Sequence, residues 1–301
     1  MSKEFVTEAL LADILSVSRS TIEKWKISRK ITPSKNGQYC LEDLQYFPSI
    51  KSMINSRWKE QQNVTPKRKY QSIELFAGAG GLAIGLEKAG FDTIALNEID
   101  KDSCKTLRHN RPHWNVIEGD ISKINFFDYS QYDIDLLSGG FPCQAFSYAG
   151  NKLGFEDTRG TLFFEFARAI KELQPKVFIG ENVRGLLNHE KGKTLNAIKS
   201  VISELGYVLI EPRVLKAIFY RVPQKRERLF LIGIRKDLFP YTNFIWPDPF
   251  CRVMTLKDAL KKGELYNSYC PPSSGQNYPP KKQKVMEIRL SALHFVTNKT
   301  T

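Results

Sequence analysis

The chain has 301 residues, of which 42% are hydrophobic, which is enough for one large domain and a smaller one. Its 45 Lys and Arg outnumber 32 Asp and Glu, and the net charge of +13 indicates a polyanionic partner, most often nucleic acid. The five cysteines include no CxxC pair, so a disulfide framework or zinc ribbon is not expected and a reducing cytoplasm fits best. No apolar run approaches the ~20 residues of a membrane span, and no signal peptide is recognised.

Residues 1–58 are expected to form a separate, small all-α module. Helical spacing covers residues 9–14, and after a break Ser18 or Ser20 can cap a second helix that extends to about Trp25. Two short helices around a tight turn are typical of the helix-turn-helix, whose second helix enters the major groove of DNA. A helical hairpin used for protein contacts is the alternative interpretation.

Basic side chains accompany this helical pattern. Arg19, Lys24 and Lys26 lie on the second expected helix. Residues 11–22 resemble the helix-turn-helix of excisionase-like and MerR-like DNA binders, which implies a DNA-binding module. Residues 59–70 are polar and end in a basic run, so they are expected to form a linker.

A second domain, residues 71–240, is expected to be an α/β sheet of the nucleoside-binding type. Its first strand ends in a glycine-rich turn, which lets the backbone approach a ligand. Glu98 ends the next strand 18 residues after Gly80, near the ~20 typical of an acid that binds ribose hydroxyls. Asp120 ends a third strand and suits an adenine amino group. Because the glycines do not follow GxGxxG, these residues leave nicotinamide and adenosyl-methionine equally open.

Cys143 is a candidate nucleophile because of its position in the chain. The apolar run at residues 132–137 predicts a buried strand, Gly139 and Gly140 allow a sharp turn, and Pro142 fixes the backbone just before the thiol. A thiol on a rigid loop at the carboxyl end of a strand is where an α/β sheet places its chemistry. A cysteine buried as a small hydrophobic residue is the alternative.

A metal site is not expected. His109 and His113 are four residues apart, as metal ligands on a helix can be, but Pro112 between them argues against that helix.

A set of motifs occurs in one order along the chain, at residues 74–81, 139–147, 154–164, 180–183 and 224–228. Together they resemble the catalytic core of the bacterial C5 DNA-cytosine methyltransferases, over about residues 71–237. That family usually has Asp where this chain has Glu74. The resemblance implies a Rossmann-like sheet that binds S-adenosyl-L-methionine and methylates cytosine C5 in double-stranded DNA.

The resemblance also implies roles for individual side chains. Cys143 would add as a thiolate to cytosine C6, which turns C5 into a nucleophilic carbon. Glu181 would hydrogen-bond N3 and the exocyclic amine of the base. Arg226 and Arg228 would contact the cytosine O2, the surroundings of the thiolate or a flanking phosphate. The target base must be flipped out of the duplex to reach these groups.

Contacts to S-adenosyl-methionine are carried over from the family in the same way. They are Phe76, Ala77, Gly78, Gly80, Gly81, Leu82, Glu98, Ile99, Asp120, Ile121, Pro142 and Leu162. Ile99 departs from the Trp that the family frequently has at this position. Each apolar member has an ordinary place in the core as its alternative.

Residues 241–301 are expected to be the start of a target-recognition region. Two further motifs of the family, one rich in Arg and one with Gly-Asn, do not follow. We therefore expect a C-terminally truncated chain, either because a frameshift causes a premature stop or because the methyltransferase is split and a second polypeptide supplies the missing motifs.

The leading interpretation is a DNA (cytosine-5)-methyltransferase of a restriction-modification system, with a cognate endonuclease that it need not touch. One alternative is a DNA-binding regulator whose catalytic part is inactive or needs a partner. A second alternative is a methyltransferase acting on RNA cytosine, against which the helix-turn-helix argues. A nicotinamide enzyme is remote once the motifs are considered together.

Overall fold

The computed structural model describes residues 3–34, 36–142, 161–256 and 259. Cys143 and the motif residues that follow it, 144–160, lie outside the described residues, as do most of residues 257–301. The chain divides into one unit of residues 1–255 and another of residues 256–301. The first unit contains every element described below.

The N-terminal part combines short helices with one pair of very short strands. Its elements are β1 (Phe5–Val6), α1 (Glu8–Leu15), α2 (Arg19–Ile27), β2 (Tyr39–Cys40), α3 (Pro48–Ile54) and α4 (Trp58–Gln62). Strands β1 and β2 pair in antiparallel fashion, so the region differs from the all-α module expected from the sequence. The physical reason is a backbone ladder that ties the residues before α1 to the segment after α2. Helix α4 extends into the residues expected to form a linker.

Local side chains set the ends of α1 and α2. The Thr7 hydroxyl accepts a first-turn backbone N–H at 3.3 Å, and α1 ends at Ser16, whose left-handed φ of 57° stops the helix. Ser18, rather than Ser20, is the N-cap of α2, since its hydroxyl oxygen accepts the Thr21 N–H at 3.1 Å. Three residues therefore connect the two helices.

A small apolar core holds the N-terminal helices together. Its fully buried members include Leu11, Ile14, Ile22, Ile50 and Met53. Ile218 and Val253, which are distant in sequence, belong to the same cluster. Burial of each such side chain contributes about 1.5–3 kcal/mol to stability. Because residues from both regions belong to this cluster, the N-terminal part and the rest of the unit share one stabilising core.

A central mixed sheet follows the N-terminal part. Its strands are β3 (Tyr70–Leu75), β4 (Phe91–Glu98), β5 (Val116–Glu118), β6 (Leu136–Gly139), β7 (Val177–Val183), β8 (Tyr207–Leu209), β9 (Arg213–Lys216) and β10 (Glu227–Arg235). Within the described residues the order is β5-β4-β3-β6-β7-β10-β8, with β9 paired to β10. Strands β3 to β7 run parallel, and β10 is antiparallel to its neighbours. The predicted α/β class is confirmed.

The strand order reverses between β3 and β6. The chain moves from β3 outward through β4 to β5 and then returns to the other side of β3 with β6, where Leu75 is in register with Gly139. In open α/β sheets, ligands bind beyond the carboxyl ends of the strands at such a reversal. The topology therefore places a binding crevice beyond the ends of β3 and β6.

Helices connect and cover the strands. They are α5 (Gly81–Lys88), α6 (Lys101–Asn110), α7 (Leu162–Leu173) and α8 (Lys193–Glu204). A line of aromatic rings crosses the core from Phe141 through Phe166 and Phe178 to Tyr207, with successive centroids 5.3, 5.9 and 5.5 Å apart. This line joins the loop after β6 to β8, the last strand in the order of the sheet. No helix in the described parts of the chain is both long and apolar enough to cross a membrane.

Candidate active site

A cleft of about 560 Å³ lies beyond the carboxyl ends of β3, β6 and β7. That volume is within the range of small-molecule and cofactor sites. The cleft is lined by Glu74, Phe76, Ala77, Gly81, Leu82, Gly140, Glu181, Leu215, Ala217, Tyr220, Arg226, Arg228 and Phe230. Members of the glycine-rich turn thus share one space with the carboxylate and both arginines singled out from the sequence.

The turn between β3 and α5 needs glycine at a specific position. Gly80 has a φ of +85°, and a Cβ added there would lie 2.7 Å from a methyl carbon of Leu107 and 3.3 Å from the Trp114 ring. Phe76 also has a left-handed φ, of 56°. The chain therefore folds back tightly after β3, and Phe76 comes to line the cleft.

Glu98 at the end of β4 organises this turn. One carboxylate oxygen accepts the Gly78 N–H at 2.6 Å, and the other accepts the N–H groups of Ile99 and Asp100 at 2.9 and 2.8 Å. The carboxylate therefore ties the end of β4 to the glycine-rich turn. Ile99 is 68% exposed beside it.

Four of the residues expected at the cofactor line the cleft, namely Phe76, Ala77, Gly81 and Leu82. The others are not among its lining residues: Gly78, Gly80, Glu98, Ile99, Asp120, Ile121, Pro142 and Leu162. Asp120 is exposed, and its carboxylate accepts the Ser122 N–H at 2.9 Å; this backbone bond and the Ser122 hydroxyl lower the pKa of Asp120. Ile121 is buried in the main core, and its carbonyl accepts a hydrogen bond from Arg168. Pro142 is exposed, and Leu162 is partly buried at the start of α7.

The backbone that leads to Cys143 is anchored at the cleft. The buried Asn182 side chain donates a hydrogen bond to the Phe141 carbonyl at 2.9 Å, and the Phe141 ring is buried. A Cβ added at Gly140 would lie 3.4 Å from Oε2 of Glu181. The residues just before Cys143 therefore adjoin Glu181, while Cys143 itself lies outside the described residues.

Glu181 and the two arginines form a charged cluster. Nε of Arg228 lies 2.9 Å from Oε1 of Glu181, and the Arg226 guanidinium lies 4.0 Å from the same oxygen. Glu181 is in register with Phe230 across the β7–β10 pair, which brings Arg228 alongside it. The Glu181 and Arg228 side chains are only 25% and 24% exposed, so much of the pair is withdrawn from water.

Glu74 is a cleft residue that sequence reasoning noted only as a departure from the family pattern. It is buried near the end of β3, and Ser138 Oγ donates a hydrogen bond to its Oε2 at 3.4 Å. Burial raises the pKa of Glu74 to about 8, and the hydrogen bond from Ser138 offsets part of that rise. The available signal was a carboxylate inside an apolar strand directly before the glycine-rich turn.

Other lining residues carried no motif signal. Leu215, Ala217 and Tyr220 come from the segment before the arginines, and Phe230 from the strand after them. Their place in the cleft follows from the pairing of β9 with β10, which is a tertiary contact.

Strand order, glycine-rich turn and the carboxylate–arginine cluster define the class of the molecule as an α/β methyltransferase. Residues 70–290 match the model of a family described as C-5 cytosine-specific DNA methylase. The chain belongs to this family, as its motifs predicted, and it is a DNA (cytosine-5)-methyltransferase that uses S-adenosyl-methionine.

Relatives and a solved structure agree with this assignment. Type II methyltransferase M.Eco47II from Escherichia coli is 53% identical over 293 residues, which cover 96% of this chain and 70% of that protein. Type II methyltransferase M.PspPI from a Psychrobacter strain is 52% identical over 283 residues, covering 92% and 68%. The crystal structure of a DNA modification methyltransferase from an E. coli prophage matches with a TM-score of 0.53 and 32% identity, over 64% of this chain and 54% of that one.

Proposed function

We propose that the cleft holds S-adenosyl-methionine together with an extruded cytosine, and that the chain is the methyltransferase of a cytoplasmic restriction-modification system. The observation that carries the proposal is the Glu181–Arg228 pair beside Gly140, in the same cleft as the glycine-rich turn. The system-level role is supported by relatives named as type II methyltransferases that are more than 50% identical.

The glycine-rich side of the cleft is proposed as the cofactor site. S-adenosyl-methionine supplies a methyl group on a positively charged sulfur. The turn would approach the cofactor through Phe76, Ala77, Gly78, Gly80, Gly81 and Leu82, while Glu98, Ile99, Asp120, Ile121, Pro142 and Leu162 complete the proposed contacts. Support for the turn comes from its tight geometry and from the hydrogen bond that Glu98 accepts from it.

The arginine side is proposed as the cytosine site. The Cys143 thiolate adds to C6, and the ring electrons move toward N3, where the Glu181 carboxyl hydrogen-bonds the base. The activated C5 would then bond to the methyl carbon of S-adenosyl-methionine while the methyl–sulfur bond breaks, and the neutral thioether S-adenosyl-homocysteine would be the leaving group. A base, proposed to be a nearby water, takes the C5 proton while the Cys143–C6 bond breaks, which restores the aromatic ring and regenerates the Cys143 thiolate. Arg226 and Arg228 hold Glu181 in place and offer donors to the base or a flanking phosphate.

A covalent trap tests this assignment. Duplex DNA containing 5-fluorocytosine at many sites, incubated with the chain and S-adenosyl-methionine, should give a stable adduct, because fluorine at C5 replaces the proton whose loss releases the thiol. Cys143→Ala should abolish the adduct, and Glu181→Gln should slow its formation. Cys251→Ala is the matched control, since Cys251 is an exposed free thiol elsewhere on the chain. An adduct that persists in Cys143→Ala would overturn the assignment of the nucleophile.

The N-terminal α1–α2 pair is proposed as a DNA-binding helix-turn-helix. Ile22 is the buried residue of α2, while Arg19, Lys24 and Lys26 are exposed on it. The three-residue connection between α1 and α2 and the exposed cations on α2 both suit a helix that contacts phosphates and base edges.

Binding measurements at several salt concentrations test the module. The double variant Arg19→Gln/Lys24→Gln should bind duplex DNA about 10-fold more weakly, with the slope of log K against log salt reduced by about two. Lys51→Gln on α3 is the control for loss of a cation elsewhere in the N-terminal part. Unchanged affinity and slope in the double variant would exclude α2 as a DNA-binding helix.

A further inference from the structure

The β9–β10 ribbon has two faces, because side chains alternate along a strand. Leu215 of β9, together with Arg228 and Phe230 of β10, lines the cleft. Lys216 and Glu227 are the alternate residues, and they are directly opposite each other in the pairing of the two strands. Lys216 and Glu227 thus lie on the face of the ribbon that is turned away from the cleft.

That second face contacts the carboxyl end of α1. The Lys216 ammonium donates hydrogen bonds to the Asp13 backbone carbonyl and, at 2.7 Å, to the Ser16 hydroxyl. It also lies 3.5 Å from Oε1 of Glu227, which accepts a hydrogen bond from Ser16 at 3.4 Å. The Lys216 side chain is only 10% exposed. A buried ammonium must be paired, so these contacts are an integral part of the fold.

The contact with Lys216 also stabilises the carboxyl end of helix α1. The last turn of α1 contains no basic residue, and the carbonyls at a helix carboxyl end carry partial negative charge. Lys216 supplies the missing cation from a position about 200 residues further along the chain. A second, more exposed pair joins Lys225 to the Asp13 carboxylate at 2.8 Å.

Glu227 extends the network to the strand that carries Glu181. Its Oε2 lies 2.8 Å from the Arg184 guanidinium, just beyond the end of β7. Both strands of the Glu181–Arg228 pair are therefore fixed by contacts outside the cleft. On β10, Glu227 precedes Arg228 and contacts Lys216. After β7, which carries Glu181, Arg184 contacts Glu227.

We infer that Lys216 is a positioning residue, which fixes the arginine-bearing ribbon against the carboxyl end of α1 and thereby sets Arg228 in its place beside Glu181. The N-terminal module is then a structural part of the active site. This inference rests on the proposed roles of Glu181 and Arg228, and the test below separates the failure of one from the failure of the other.

The test compares full-length Lys216→Met with Lys199→Met, which removes the same charge from an exposed ion pair on α8. Three quantities are measured: kcat for transfer of labelled methyl groups to unmethylated genomic DNA, Kd for S-adenosyl-methionine, and amide hydrogen exchange of residues 226–230. In Lys216→Met we expect kcat to fall about 10-fold or more. The Kd should stay within about two-fold, and the exchange should become at least about five-fold faster. Lys199→Met should match the wild type in all three.

Ser16→Gly provides a second variant that is not expected to impair folding. Glycine adopts the left-handed φ of this position readily, which offsets part of the stability lost when one partner of Lys216 is removed, so this variant should still fold. A positioning role predicts that kcat falls about three-fold in this variant.

The outcomes are distinct. Wild-type exchange at residues 226–230 in Lys216→Met would overturn the inference, whatever the activity. Faster exchange with unchanged kcat would also overturn it, because Lys216 would then only stabilise the fold. If the wild type transfers no methyl group, the proposed function fails, while the exchange comparison still shows whether Lys216 fixes the ribbon.

Discussion

Nε of Arg228 lies 2.9 Å from Oε1 of Glu181, on two antiparallel strands at the floor of the cleft. An ion pair at this distance, between side chains that are about three-quarters withdrawn from water, holds both groups together before any substrate is bound. The carboxyl group proposed to bind cytosine N3 is therefore pre-organised by the protein itself.

The first prediction concerns Glu181. Glu181→Gln keeps the size of the side chain but replaces the carboxyl with an amide. The negative charge that develops on the cytosine ring at N3 then no longer has a carboxyl group beside it. We expect kcat for methyl transfer to fall about 100-fold or more, with Kd for S-adenosyl-methionine nearly unchanged. Steady-state methylation and cofactor titration measure the two values. A Kd that rises in parallel with the loss of rate would instead place Glu181 at the cofactor.

The second prediction concerns the pH dependence of stability at Glu74. Because the folded pKa of about 8 is above the usual value of 4.5, the folded protein holds a proton that the unfolded chain releases between these values. Stability is therefore lost as pH rises through this window. Relative to the wild type, Glu74→Gln should gain up to about 1.4 kcal/mol per pH unit from about pH 5 to pH 8.

Urea unfolding at a series of pH values measures this effect at Glu74. Ser138→Ala removes the hydroxyl that donates to Glu74, so the pKa of folded Glu74 should rise further and the stability of this variant should go on falling to a higher pH than that of the wild type. Parallel curves for the wild type and Glu74→Gln would contradict the prediction.

The third prediction concerns Asp135 at the amino-terminal end of β6. Burial raises the pKa of this carboxyl, but hydrogen bonds from Arg68 and Lys176 outweigh burial and lower its pKa overall. The cluster of Asp135 with Arg68 and Lys176 therefore contributes stability above the unfolded pKa of about 3.8, and this contribution is lost as pH falls through the folded value. Asp135→Asn should cost about 2 kcal/mol at pH 7, less than a fully buried pair because Arg68 is half exposed.

Unfolding at pH 7 and at pH 3 measures the effect of Asp135→Asn, whose cost should shrink at the lower pH. Asp92→Asn is the control, since Asp92 forms an exposed ion pair with Lys69 at 3.6 Å and its loss should cost less than about 1 kcal/mol. Equal costs at both pH values would show that the side chain acts through packing alone.

The fourth prediction concerns the glycine-rich turn. Gly80→Ala places a methyl group 2.7 Å from Leu107 in a left-handed backbone, so it should cost about 2–4 kcal/mol. Gly85→Ala, within α5 and with open space around the added carbon, should stabilise the protein by up to about 1 kcal/mol. Thermal unfolding of both variants tests the difference. A Gly80→Ala protein as stable as the wild type would show that the turn can relax.

Local sequence patterns predicted much of the fold and the protein family. Apolar strands that end in glycine-rich segments predicted the α/β sheet, and the ordered motifs predicted the methyltransferase family. From the sequence, either Ser18 or Ser20 could be the N-cap of α2, because both have a hydroxyl. In the structure Ser18 is the N-cap, with extended backbone dihedrals. The β1–β2 pair was missed, because two-residue strands give no detectable alternation.

Long-range contacts were beyond the reach of the sequence. Nothing local to Lys216 indicates that its ammonium meets the carboxyl end of α1, since the contact depends on how two distant segments pack. The raised pKa of Glu74 likewise could not be predicted from the sequence, because it depends on burial of the carboxyl group in the assembled sheet.

The placement of Ile218 and Val253 in the core of the N-terminal helices limits how such a protein can be recombined. Exchange of residues 3–62 for an unrelated module would leave both side chains facing water. A viable chimera must therefore supply a complementary apolar surface of its own, and inheritance of the two segments as a pair is the simplest way to keep that match.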